Sequence, residues 1–174
     1  MDELVKKAPK MSPAEHEKES LALAKAIQRE EDPLIRLQIV RTLAVFPTKV
    51  AGDVLTAAAK DTDSDVRIAC CHSWGTRKGP DAVKVLGGLL NSDTDLDVRI
   101  AAARALGETR DTSAIESLGQ ALEDKDPAMQ HRAIVSLEKI TGKHLGTDAE
   151  AWRAFVRGDN PPEESLASRV KRWF

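Results

Sequence analysis

Cys70, Cys71 and His72 are consecutive, the one place in this chain where thiols and an imidazole meet. Thiolates and imidazole are the donor types of a zinc site, and a Cys–His pair is a minimal nucleophile and base. On a helix, however, adjacent side chains diverge by about 100°. The three cannot converge on one ion from a single turn, and a Cys70–Cys71 disulfide would need a broken helix. Two buried free thiols are the expectation. His16, His131 and His144 are scattered, and none stands at metal-ligand spacing from the cysteines. No catalytic residue, metal site or cofactor is expected. The other chemistry is cationic. The link Thr76-Arg77-Lys78-Gly79-Pro80 is the most basic between helices. It could meet a phosphate or an acidic patch, or simply be a solvated turn. In the final residues Arg169, Lys171, Arg172, Trp173 and Phe174 lie on a short amphipathic segment. Such a segment can fold back, dock in a partner groove or touch a membrane surface. Two aromatic anchors are too few for stable membrane insertion.

The elements that must carry these residues come from a repeat. Asp95-Leu-Asp-Val98-Arg99 runs to Ala105-Leu106-Gly107; earlier copies start at Asp32 and Asp63, and a worn fourth starts at Asp126. The leading Asp steps by 31, 32 and 31 residues. A fixed period in this range marks a solenoid whose units bury their apolar faces against neighbours. Each unit reads as two helices. In the second helix, Val98, Ala101, Ala102, Ala105 and Leu106 share an inward face, with Ile100, Ala103 and Arg104 opposite. The leading Asp caps its start, and Gly75 and Gly107 read as its left-handed end. First helices are expected near residues 48–60, 80–91 and 112–123. Short polar links such as Asp61-Thr-Asp63 favour antiparallel neighbours. At the front, Ser12-Pro13-Ala14-Glu15 has a capping-box pattern, opening a helix with Leu21, Leu23, Ala24 and Ile27 inward. At the back, Asp148 to Val156 forms a short helix whose aromatics cover the open end. The expected organisation is one domain over residues 1–174. It comprises a capping helix (12–31), repeats (32–142), a second capping helix (143–160) and the amphipathic tail (161–174).

The run Asp-x-Asp-Val-Arg-x-Ala-Ala-x-Ala-Leu-Gly, preceded by an Ala-Ile-x-x-Leu helix, resembles the HEAT-like repeats first associated with phycobilisome lyases. The likeness covers residues 32–140 and is best at 95–107. It implies an all-α fold: a short right-handed α-solenoid of antiparallel helical hairpins with atypical capping helices at both ends. Second helices would line the concave face, and the commonest role would be protein–protein binding. In such repeats the motif Arg (Arg36, Arg67, Arg99) pairs with a motif carboxylate of the neighbouring unit, which suggests Arg67–Asp97 or Arg99–Asp65. The fourth copy departs, with Gln130 in the Arg position and His131 in place of Leu37, Ile68 and Ile100.

Aligned copies form columns: Leu37, Ile68, Ile100 and His131; Arg41, His72, Arg104 and Val135; Val45, Thr76, Glu108 and Lys139. All lie opposite the inward stripe. Leu37, Arg41, Ile68, His72, Ile100, Arg104, Glu108 and His131 are therefore candidate partner-binding residues. They would offer an apolar row flanked by arginines to a partner segment carrying an acidic residue. Lateral packing of successive helices is the competing role for Ile68 and Ile100, and core filling the expected role of Trp74. The function expected is a non-catalytic interaction scaffold for a protein or peptide. The alternative, a lyase or lyase accessory acting on a tetrapyrrole chromophore, follows from the family association only. HEAT-type di-iron hydroxylases carry His-Glu pairs on successive repeats, whereas here one stands alone, His16-Glu17. A formal charge of −2 and pI near 6.1 disfavour nucleic acid as a partner. With no apolar run of signal-peptide or membrane-span length, a cytoplasmic location is the default.

Overall fold

The computed structural model describes residues 1–163. Among these residues all regular structure is helical. The helices are α1 (Asp2–Lys7), α2 (Pro13–Ile27), α3 (Pro33–Leu43), α4 (Lys49–Ala58) and α5 (Ser64–Arg77). They continue with α6 (Pro80–Ser92), α7 (Leu96–Thr109), α8 (Ile115–Ala121), α9 (Pro127–Thr141) and α10 (Ala149–Val156). Two helical layers result. The motif helices α3, α5, α7 and α9 stack side by side, and α2, α4, α6 and α8 form the other layer. One apolar core runs between them from Ala8 to Trp152.

Local chemistry sets the helix starts. Asp32, Asp63, Asp95 and Asp126 each accept a backbone N–H of the first turn, as do Asp148 and Thr48. Ser12 and Glu15 complete the capping box. The helix ends differ from the sequence expectation. α5 and α7 run through Gly75 and Gly107, and the left-handed residues are Lys78 (φ 60°) and Arg110 (φ 58°), with Gly142 (φ 70°) in the same place after α9. The two internal glycines serve close approach instead. A Cβ on Gly75 would lie 3.2 Å from the Ala105 Cβ, and one on Gly107 would lie 2.8–3.0 Å from Ser136.

The inward stripe Val98, Ala101, Ala102, Ala105 and Leu106 is buried, but so is Ala103, expected on the outer side. α7 is flanked by α5 on one side and α9 on the other, and Ser136 Oγ donates to the Ala103 carbonyl (2.8 Å). Leu21 is a second correction. It is 44 % exposed, because the inner face of α2 is centred on Ser20 and Leu23. Ser20 accepts a hydrogen bond from Thr48 Oγ1 (2.8 Å). Cys70 and Cys71 are buried free thiols in α5, held by the Leu55 and Val98 carbonyls. Burial pushes both thiols up, Cys71 to about 12, so neither is ionised near neutral pH.

The repeat arginines do form rungs, but to a carboxylate other than the one expected. Arg36 reaches Asp61, Arg67 reaches Asp93 and Arg99 reaches Asp124. Asp97 and Asp65 lie exposed in the first turns of their helices, while Asp95 and Asp63 are committed to capping. The rung acid stands two residues before each cap, in the link. Its carboxylate also accepts the N–H of the capping Asp, at 3.0, 2.9 and 2.9 Å for Asp63, Asp95 and Asp126. That bond turns it toward the preceding motif helix. Arg36 and Arg67 grip their partners through two nitrogens each, with the Arg67 pair at 2.8 and 2.9 Å. The same arginines tie their own link, Arg67 Nη1 donating to the Asp61 carbonyl (2.9 Å). Gln130 keeps only this second task, donating to the Asp124 carbonyl (2.7 Å).

Candidate functional site

The outer surface of the motif helices brings three of the expected residues into one row. Arg41 on α3, His72 on α5 and Arg104 on α7 are all exposed, one per repeat. Their positions follow from the helix register, since each lies opposite the stripe that faces the first-helix layer. Among the described residues, neither arginine has a carboxylate partner within ion-pair distance. The imidazole of His72 is held below its usual pKa by burial, then by the charges of Arg104 and Arg41. Three groups on three helices therefore share one electrostatic environment.

The neighbouring column is less open. Leu37, Ile68 and Ile100 are half-buried and pack against the core. The buried part of each side chain packs on the core, and the rest lies beside the row of Arg41, His72 and Arg104. His131, which continues this column on α9, is exposed. Glu108 is half-buried and bound to Lys139 of the next helix at 2.5 Å. That ion pair, with the Arg104 and Arg110 charges nearby, holds the Glu108 carboxyl below its usual range.

Between the ends of α5 and α7 the surface sinks into a depression of about 530 Å³, lined by His72, Thr76, Lys78, Arg104, Glu108 and Arg110. Arg110 was not singled out from sequence, and Lys78 was named only within the basic link 76–80 that could meet a phosphate or an acidic patch. They lie past the glycines that were read as helix ends. A signal for them existed: positions 78, 110 and 142 recur at the repeat period as Lys, Arg and Gly.

The other basic residue of that link serves structure. Arg77 donates to the carbonyls of Phe46 and Thr48 and lies 5.7 Å from the Trp74 ring centre. Trp74 itself is 3 % exposed and fills the core. His16 binds the Ala8 carbonyl (2.8 Å) and stands edge-on to Phe46. Among the described residues no group of three or more His, Cys, Asp or Glu is placed to hold a metal ion. No described helix is long and apolar enough to cross a membrane. At the far end Trp152 is fully buried, donates to the Gly146 carbonyl (2.9 Å) and packs edge-to-face with Phe155. Arg169, Lys171, Arg172, Trp173 and Phe174 lie outside the described residues.

Two solved structures share this architecture. Human deoxyhypusine hydroxylase, in complex with glycerol, is similar with a TM-score of 0.64 and 21% identity. The match covers 71% of this chain, which spans 44% of the hydroxylase's length. The complex of CpcE and CpcF of phycocyanin lyase from Nostoc sp. PCC7120 is similar with a TM-score of 0.56 and 18% identity, over 87% of this chain and 94% of that one. At such identities the likeness is one of fold. Among curated proteins no sequence matches. The profile of HEAT repeats matches residues 20–107 and 89–157. Together these segments include all four capped motif helices and the arginine rungs between them: the chain belongs to the HEAT-repeat family.

Proposed function

We propose that this protein is a non-catalytic interaction module that binds a segment of a partner protein across the outer face of α3, α5, α7 and α9. The observation that carries this reading is the row Arg41, His72 and Arg104. Arg41 and Arg104 make no ion pair among the described residues and stand exposed beside an apolar floor, with His72 between them. Exposed, uncompensated charge beside half-buried Leu37, Ile68 and Ile100 matches the mixed polar and apolar make-up of protein interfaces. The C-terminal tail residues could add a second contact. A lyase or lyase accessory acting on a bilin is the competing reading, favoured by fold similarity over nearly the whole CpcE–CpcF chain matched.

The test is affinity capture from a native lysate with wild type and with Arg41→Glu/Arg104→Glu. Both positions are exposed, so circular dichroism should show unchanged helices. A protein captured by wild type is expected to fall by about tenfold or more with the variant, the order expected for reversing two interface charges. Equal capture would remove this face from the function. A visible absorbance band formed on mixing with free bilin would move the assignment to the lyase reading.

A further inference from the structure

We infer that the segment bound by this face is acidic and in polyproline II conformation, with a carboxylate at every third residue, lying across α3, α5 and α7 over Arg41, His72 and Arg104. This rests on the interaction reading above and gives that partner a chemistry and a register.

The register comes from the spacing of the motif helices. Packed helices lie about 8–10 Å apart. Here the glycine contact draws α5 and α7 together, since a Cβ on Gly75 would come within 3.3 Å of the Ala105 Cα. One basic side chain per helix, arginine on α3 and α7 and histidine on α5, therefore repeats at about that distance. A β-strand presents residues on one face every second position, at about 6.6 Å or 13 Å, which straddles the spacing without meeting it. A polyproline II helix returns to the same face every third residue after about 9.3 Å, and matches it. An α-helix returns after two turns, about 10.8 Å, but its width of about 10–12 Å holds its axis well above the floor. A single extended chain can lie low enough for a carboxylate to enter the depression between α5 and α7.

The depression is built to receive one. Lys78 and Arg110 stand at its rim in left-handed backbone, where Gly142 serves the equivalent position of α9. A long side chain at such a positive φ is strained relative to glycine. A cation at a helix C-terminus recovers part of that cost from the dipole. The two cations sit at the two helix ends that border the depression. Lys78 and Thr76 on α5, Arg41 on α3, and Arg104 and Glu108 on α7 are the groups facing His72, and Glu108 is already bound to Lys139. The arginine charges disfavour the imidazolium. A carboxylate laid between them reverses that bias, so binding draws a proton onto His72 and tightens as pH falls into the range where the imidazole protonates.

Fluorescein-labelled peptides of equal composition test this by anisotropy. One repeats Glu-Pro-Pro four times, and the other gathers its four Glu before eight Pro. The repeated peptide is expected to bind about tenfold tighter, an affinity difference set by charge register. Arg41→Glu and Arg104→Glu should each abolish the preference, while Lys84→Glu, exposed on α6, should leave it intact. The His72 ring resonances should move toward the imidazolium position on titration. Equal affinity of the two peptides would overturn the register. So would tighter binding of a helical peptide with Glu at every seventh residue, or of a single-stranded oligonucleotide. If no peptide binds, yet lysate capture is lost in Arg41→Glu/Arg104→Glu, the acidic segment is wrong and the interaction reading survives. If capture is unaffected by that variant, the interaction reading itself fails.

Discussion

Asp93→Ala is expected to lower stability by about 3 kcal/mol, the order found when one partner of a buried ion pair is removed. Its carboxylate is 5% exposed and the Arg67 guanidinium 13%. Removing it leaves Arg67 buried against two helices with no carboxylate acceptor, and strands the N–H of Asp95 as well. In a chain of this size that corresponds to a fall in thermal midpoint of about 6–12 °C, read by circular dichroism. Asp124→Ala should cost less, because Arg99 meets Asp124 through one nitrogen and that pair is more exposed. Equal losses would mean that the burial of the rung does not set its worth. The same rung has a pH signature. Burial by itself would raise the Asp93 carboxyl, but the Arg67 hydrogen bonds, the Asp95 N–H and the charges of Arg67 and Arg99 outweigh it and hold the group below its usual range. A carboxyl depressed on folding contributes its stability above the unfolded pKa of about 3.9 and loses it as pH falls through the lower folded value. Asp93→Asn should therefore show a shallower acid loss below about pH 4 than wild type. A parallel acid limb would remove Asp93 from the linkage.

Gly107→Val is expected to be the most damaging single change in the repeat array, at about 3 kcal/mol or more. A Cβ at this position already stands 2.8 Å from Ser136 Oγ, 2.9 Å from its Cβ and 3.0 Å from its Cα. The last atom is backbone, so relief requires α7 and α9 to separate, which also loosens the Ser136–Ala103 hydrogen bond. Gly107→Ala should cost about 1–3 kcal/mol. Gly75→Ala should cost less, its nearest contacts being 3.2–3.4 Å. Gly88→Ala is the control. It is exposed on α6 with nothing within 4 Å of a new Cβ, so higher helix propensity should stabilise it by about 0.5–1 kcal/mol. Urea melts of the four variants give the order directly. A Gly107→Ala variant as stable as wild type would show that the helices can part freely at this contact.

These two features mark where sequence reading reached and where it stopped. The recurring leading Asp revealed the period, the helix pairs and their starts, because a cap is local chemistry within three residues. The rung was foreseen in kind and assigned to the wrong acid. The links were read only as short and polar, and it is the folded link that turns Asp61, Asp93 and Asp124 toward the preceding Arg. The glycines failed for another reason. Glycine serves both left-handed backbone and close approach, and the neighbouring residues of one helix do not distinguish the two. The deciding atoms belong to Ala105 and Ser136, about thirty positions away in the next repeat. At the candidate site, aligning the copies was enough to put Arg41, His72 and Arg104 in one row. Arg110 was missed because α7 was ended too soon, and Lys78 was seen only as part of a basic link rather than as a rim shared with α7. Ile68 and Ile100 are half-buried against the core, an exposure that depends on how tightly the helices approach.

The rungs also give the array a polarity with a defined stop. Each of the first three units offers a guanidinium forward and each of the last three a carboxylate backward, which is a head-to-tail joint, and joints of that kind have no intrinsic reason to end. Left alone, the same chemistry would accept a further unit from the same chain or from another molecule, and grow into an open filament. Gln130 retains the hydrogen bond that shapes its own link and gives up the charge that would recruit a successor. At the described end, Gln130 offers no charge forward and α10 packs over α8 and α9 with Trp152 fully buried, so a lost charge and a covering helix act together. A unit inserted ahead of Gln130 would find both of its complements waiting, whereas one appended behind it would meet an uncharged amide.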